Sequence, residues 1–322
     1  MTSQQNRKSG KNGDTPPNVG ARPSALDILI HMHIPKTGGT SLNSMVQHGF
    51  RDDEVFDTTI GGDELISGLG LANYEYCQRR LASYAPGDLR RIRYVSGHLP
   101  MGLHRAFDRP AKYFTIIRHP VDRVISNFFF WIEENHPYLA EGRPMMFEEY
   151  VESRYDVRLR DYQVRVLSGC PELDAEHRGR DMQTPGPPVE RRHLEAAKRN
   201  IEEHFLAVAP LENMTELALL LRRVYGWPMR RLLNEYKAWT KRRPRKNDVS
   251  PRVIKIIEEC NSCDLELYEW VGKRFAAQRQ LFEPELSRDL RVFSTLSRVL
   301  NATGRFLPWS ARKRLAQLLF YA

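Results

Sequence analysis

Cysteine is scarce: Cys77, Cys170, Cys260 and Cys263 are the four thiols in 322 residues. So few cannot form a disulfide framework for a chain of this length, so stability has to come from a buried core and the thiols are expected reduced. Cys260 and Cys263 make one CxxC with no second pair and no histidine at ligand spacing, which reads as packing rather than a zinc site. No apolar run approaches the roughly 18 residues a bilayer-spanning helix needs, which excludes an integral membrane protein. Glycine and proline, 20 of each, are too few and too scattered for a collagen-like or low-complexity chain, and no fixed-period repeat occurs. Met1 to Pro23 has no apolar stretch of the secretory kind, so residues 1–25 are expected as a disordered tail on a cytoplasmic protein.

The net charge of +9 is concentrated at the ends. Residues 1–25 carry +3 and residues 284–322 carry +5, which leaves +1 for everything between. That distribution disfavours a uniformly basic nucleic-acid-binding body and confines any basic partner surface to the tails.

Ordered structure is expected from Leu26, where Leu-Asp-Ile-Leu-Ile-His-Met-His reads as a short buried strand. Further strands are expected at Arg93–Ser96, Lys112–Ile117 and Phe205–Ala209. Helices are expected at Leu42–Gln47, Asn73–Ser83, Pro120–Trp131, 146–168, Glu190–Glu203, Met214–Tyr225 and Pro251–Gln280. The run from 169 to Pro188 reads as a surface flap, and Lys237–Lys246 as a basic loop. Alternating strands and helices imply an α/β, P-loop-like three-layer fold: a central parallel sheet flanked by helices, binding ligands at the carboxyl ends of its strands. The expected divisions are a tail at 1–25, one domain at 26–283, and a basic amphipathic helical extension at 284–322, where arginines recur at 291, 298, 305 and 312.

Two stretches carry chemistry. Lys36-Thr37-Gly38-Gly39-Thr40-Ser41 lies between a strand and a helix, where backbone N–H groups converge and the helix dipole favours an anion. Gly38 and Gly39 let the backbone approach closely, Lys36 adds a mobile cation, and Thr37, Thr40 and Ser41 add hydroxyl donors, so the loop reads as a phosphate or sulfate cradle. A plain hydroxyl-capped connection is the bland alternative. The lysine precedes the glycines, unlike Walker A, where it follows them. The second stretch is Arg118-His119-Pro120-Val121-Asp122-Arg123-Val124-Ile125-Ser126. Arg118 ends a strand and Ser126 stands about two turns into the following helix, so the pair is placed to grip one phosphate from two directions. Arg123 shares the helical face with Ser126 and equally suits a structural ion pair.

His33-Ile34-Pro35-Lys36-Thr37-Gly38-Gly39-Thr40-Ser41-Leu42 resembles the 5′-phosphosulfate loop of sulfotransferases that use 3′-phosphoadenylyl sulfate (PAPS), and Arg118–Ser126 resembles their 3′-phosphate motif. The likeness points to the heparan sulfate 2-O-sulfotransferase family and its bacterial homologues. It runs over residues 26–280 and includes Ser96-Gly97-His98, Gln163–Gly169 and Asp264-Leu265-Glu266-Leu267-Tyr268. It implies that Lys36 to Ser41 hold the 5′ side of PAPS and that Arg118 and Ser126 hold its 3′-phosphate. It further implies in-line transfer of the sulfuryl group to a hydroxyl acceptor, a carbohydrate such as a glycan or glycolipid, without a metal. His98 matches the family's base, and an imidazole titrating near ~6.5 suits that task. The family often has a second histidine two residues before the base; this chain has Ser96, with His104 as the nearby stand-in.

Two other classes share some of these features. A P-loop kinase or nucleotide hydrolase would need ATP and Mg²⁺, for which no convincing Walker aspartate is found. A non-enzymatic adaptor would work through its basic tails on a membrane or nucleic acid. The C-terminal segment, with Trp309, Leu315, Leu318, Leu319 and Phe320 turned inward, suits either packing on the domain or peripheral contact with an anionic inner-membrane face. A nucleic-acid partner is not expected.

Overall fold

The computed structural model describes residues 27–57, 79, 81–99, 101–133, 145–154, 156–174, 187–229, 232 and 244–304. Five parallel strands form one sheet: β1 (Ile28–Met32), β2 (Val55–Asp57), β3 (Tyr94–Gly97), β4 (Ala111–Ile117) and β5 (Phe205–Pro210), in the order β2-β3-β1-β4-β5. The helices are α1 (Gly39–Gln47), α2 (Pro86–Leu89), α3 (Pro120–Glu133), α4 (Phe147–Ser153), α5 (Tyr162–Ser168), α6 (Pro171–Asp174), α7 (Arg191–His204), α8 (Met214–Tyr225), α9 (Pro251–Cys260), α10 (Ser262–Gln280) and α11 (Glu285–Gly304).

Alternation along the fully buried β1 builds the three layers. Ile28, Ile30 and Met32 face one side, with Leu167 of α5, Leu194 and Ile201 of α7, and Leu267 and Val271 of α10. Leu29 faces the other, with Leu42 and Val46 of α1, Leu217 and Leu220 of α8, and Leu286 of α11. Strand order matters for function. β1 pairs with β3 on one side and β4 on the other, so the loops leaving all three open side by side at one sheet edge.

The expected α/β parallel architecture stands, with differences of detail, among them the short helices α2 and α6, which were not expected. β2 was not foreseen, because three residues on a sheet edge carry no legible pattern; it pairs with β3. The helix expected over 146–168 breaks where Arg154 and Asp161 adopt positive φ, 54° and 42°. The helix expected from Pro251 to Gln280 breaks at Asn261, whose side-chain amide donates to the carbonyls of Leu159 and Ile257 at 2.7 and 2.8 Å. Cys260 and Cys263 flank this break half-buried, and burial raises both thiols.

The segment after Pro284 begins as α11 and lays its first turns on α8: Leu286 is buried, and Asp289 bridges Arg222 at 2.8 Å and Arg223 at 2.6 Å. Most of the helix expected at 73–83, the centre of the 169–188 run, Lys237–Arg243, the N-terminal tail and the apolar residues after 304 lie outside the described residues. Among the described residues no helix is long and apolar enough to cross a membrane.

Candidate functional site

The chain leaves β1 at Met32 and turns tightly into α1. Lys36 sits at φ 66°, Gly38 caps the helix at φ 95°, and α1 begins at Gly39. The Thr37 hydroxyl donates to the Ile34 carbonyl at 2.8 Å and closes the turn from inside, its side chain buried. Ser41 and Leu42 donate their amides to the Gly38 carbonyl at 3.1 and 3.2 Å, which starts the helical ladder. The amides at the head of a helix lack intrahelical acceptors, and here they point with the dipole toward the loop's opening. Gly38 is favoured by its φ of 95°, and Gly39 by close approach of the His33 ring. A β-carbon at Gly38 would meet Leu211 Cδ1 at 2.5 Å, and one at Gly39 would stand 2.0 Å from His33 Cδ2. The Lys36 ammonium lies over the Phe130 ring of α3, 3.6 Å from its centroid, a cation–π position at the mouth of the cradle.

Arg118 is the first residue past β4, the immediate neighbour of β1 in the sheet. Its Nη1 donates to the Lys36 carbonyl at 3.1 Å, so the two stretches named from sequence physically touch. Ser126 lies on α3, 1% exposed. Arg123 proves structural: fully buried, it stacks on Tyr162, with its charge 5.1 Å from the ring centroid, and donates Nη2 to the Arg158 carbonyl. Among the described residues it has no carboxylate within ion-pair distance: Asp264 is the main charge acting on it, and the Asp156 carboxylate pairs with Arg158 at 2.8 Å.

His98 follows β3, on the other flank of β1. Its Nδ1 lies 2.8 Å from the His33 carbonyl, which only accepts, so Nδ1 carries a proton and Nε2 is the nitrogen that is unprotonated in the neutral form of the ring. That is the tautomer a general base needs. The His33 ring stacks on His98 at 4.6 Å between centroids and, at 5.5 Å, on His31, which in turn stacks on Phe114 at 4.8 Å. Burial, reinforced by His98, His31 and Lys36, holds His33 well below the usual imidazole range, and burial lowers His31 to about 3. Ser96 is fully buried with its Oγ 3.2 Å from His31 Nδ1, so the imidazole beside that position, His31, comes from β1 rather than β3.

His104 does not stand in for the second histidine. Its ring stacks on His204 at 4.5 Å, and His204 ends α7 just before β5 begins, which places the pair toward the amino ends of the strands. The Tyr113 hydroxyl accepts the His104 amide at 2.9 Å and meets its Nδ1 at 3.1 Å. His33 is the residue that sequence reasoning passed over: it was quoted in the motif without a role, although its position directly before the cradle was the available signal.

Among the described residues one cluster outside this edge has metal-ligand chemistry: Cys170, Glu172 and His193 bring ligand atoms within 4.8 Å of one another. His193 Nδ1 accepts the Glu190 amide at 2.8 Å, so Nε2 carries the proton and faces Glu172 at 3.2 Å, while Arg192 pairs with the same carboxylate at 3.1 Å. The nitrogen turned toward the cluster is therefore a donor, and the group is accounted for by capping and ion pairing.

Residues 27–271 match the model of the Sulfotransferase family. The chain is 28% identical over 192 residues to a uronyl 2-sulfotransferase from Homo sapiens, an overlap covering 54% of this chain and 45% of that one. It is 29% identical over 185 residues to the uronyl 2-sulfotransferase of Mus musculus, covering 52% and 43%. The matched region thus spans less than half the length of these curated relatives. A crystal structure of a sulfotransferase from Alicyclobacillus acidocaldarius aligns over 80% of this chain and all of its own, at a TM-score of 0.42 and 14% identity.

Proposed function

The chain belongs to the Sulfotransferase family, and on that footing we propose that it transfers the sulfuryl group of PAPS to a hydroxyl of a carbohydrate acceptor. The observation that carries the reading is the contact of Arg118 Nη1 with the Lys36 carbonyl at 3.1 Å, which joins the two anion grips at the ends of adjacent strands. One elongated molecule with charge at both ends would engage both.

In this reading Lys36, Thr37, Gly38, Gly39, Thr40 and Ser41 hold the 5′-phosphosulfate, and Arg118 with Ser126 holds the 3′-phosphate. The acceptor oxygen forms a bond to sulfur as the bond from sulfur to the bridging phosphate oxygen breaks. The electron pair departs onto the phosphate, where the Lys36 ammonium and the helix-head amides offset it. The acceptor's proton passes to His98 Nε2, the nitrogen left unprotonated by the bond to His33. No residue in this scheme calls for a metal. The reaction is assigned to residues 26–283, with 284–322 as an appended basic segment.

Calorimetric titration with 3′-phosphoadenosine 5′-phosphate (PAP) tests the donor side. We expect tight binding, weakened about tenfold or more in Lys36→Ala and in Arg118→Ala. Tighter binding of Mg²⁺-ATP than of PAP would instead make the protein a nucleotide-using P-loop enzyme. Mass spectrometry of glycans incubated with PAPS tests the acceptor, the expected product being heavier by one sulfate.

A further inference from the structure

We infer that Gln163 is a positioning residue for the donor's 3′-phosphate end: its side-chain amide grips the Arg118 peptide on both sides and fixes the point from which the guanidinium reaches out. The inference rests on the proposed role of Arg118.

Arg118 stands one residue past the last paired position of β4, Ile117 opposite Pro210. The sheet ladder stops there, and the Arg118 N–H and C=O need other partners. Gln163 supplies both. Its Oε1 accepts the Arg118 N–H at 2.8 Å, and its Nε2 donates to the Arg118 carbonyl at 2.9 Å. A side chain thus substitutes for the missing strand at the residue where the backbone must hold still. Among the twenty side chains only Gln and Asn present an amide donor and acceptor together, and Asn is one methylene too short for this reach.

The amide cannot turn over. Its Nε2 also donates to Asp264 Oδ2 at 3.3 Å, so a flipped amide would set oxygen against two acceptors and nitrogen against a donor. The support beneath it is a reciprocal cap between two helices. Asp264 of α10 accepts the amides of Gln163 at 3.1 Å and Val164 at 2.7 Å, at the head of α5. Asp161, just before α5, accepts the Asp264 amide at 2.8 Å, at the head of α10. Asn261 closes the set by accepting the Asp161 amide at 3.0 Å. The strained positive φ of Asp161 is held by this lock. Gln163 is fully buried and cannot touch the donor, so its influence passes through Arg118 alone.

The test uses Gln163→Ala, Gln163→Met, Arg118→Ala and the double variant Arg118→Ala/Gln163→Ala in the full chain, titrated with PAP. Binding stoichiometry reports the folded fraction, so affinity is read on folded protein even where yield drops. We expect both Gln163 variants to weaken PAP about tenfold or more and to raise the donor KM, with kcat at saturating donor and the acceptor KM within about threefold of the parent. The double variant should bind PAP no worse than Arg118→Ala. If Arg118→Ala weakens PAP and neither Gln163 variant does, or if the two losses multiply in the double variant, Gln163 is only a packing residue. If Arg118→Ala binds PAP like the parent, the proposed role of Arg118 fails first.

Discussion

The His33 ring occupies the space that a β-carbon at Gly39 would need, with Cδ2 2.0 Å from where that carbon would stand. The same ring stacks on His98, so the Gly38-Gly39 loop and the proposed base share one wall.

Gly39→Ala should therefore force His33 aside and disturb both halves of the site. We expect a stability loss of about 1–3 kcal/mol and weaker PAP binding. Trimming the obstacle in His33→Ala/Gly39→Ala should restore part of the lost stability. Chemical denaturation of the single and double variants measures this, and a double variant less stable than Gly39→Ala alone would refute the steric account.

His98→Asn keeps a donor for the His33 carbonyl but has no basic nitrogen at the far side of the ring. Turnover should fall by about 10²–10⁴-fold while PAP affinity stays near the parent value. Steady-state rates paired with calorimetry decide it; a variant within tenfold of parental turnover means another group takes the proton.

His31 gives a pH signature of stability. It titrates at about 3 in the fold against 6.5 for an ordinary imidazole, chiefly through burial. As pH falls below 6.5 the unfolded chain takes up this proton and the folded chain does not, so stability is lost progressively from there toward about 3. Replacing it with Phe removes that proton uptake. Relative to the parent, His31→Phe should gain about 2 kcal/mol on going from about pH 7.5 to about pH 5, measured by urea titration at both values. An unchanged gap would show that His31 is protonated in the fold.

Leu286 tests the docking of α11. It is 1% exposed and sits among the core residues shared with α8. Leu286→Ala should cost about 2–5 kcal/mol, whereas Val292→Ala, on an exposed position of the same helix, should cost little. Equal effects at the two positions would argue against a docked first half.

Local features were legible in the sequence and distant ones were not. The anion loop could be read because its glycines, lysine and hydroxyls are adjacent in the chain, and because a buried strand announces itself by a mostly apolar run. β4 and the helix start at Pro120 were legible for the same reason. The Gln163–Arg118 clamp spans 45 positions and the Asp264 cap about 100, so neither leaves a local pattern. His98 could be nominated from its neighbours, but its tautomer depends on a carbonyl 65 positions away. His104 looked suitable only because it is close to His98 in number; the chain carries it toward the other end of the sheet.

The central place of β1 has a thermal consequence. Hydrogen-bonded on both flanks and covered on both faces, it belongs to the part of the molecule that exchanges amide hydrogens only through global opening. A loop that starts at this strand is anchored at one end to the most protected part of the sheet. On heating, the proposed binding of PAP should vanish together with the last protected amides, not in an earlier and separate transition.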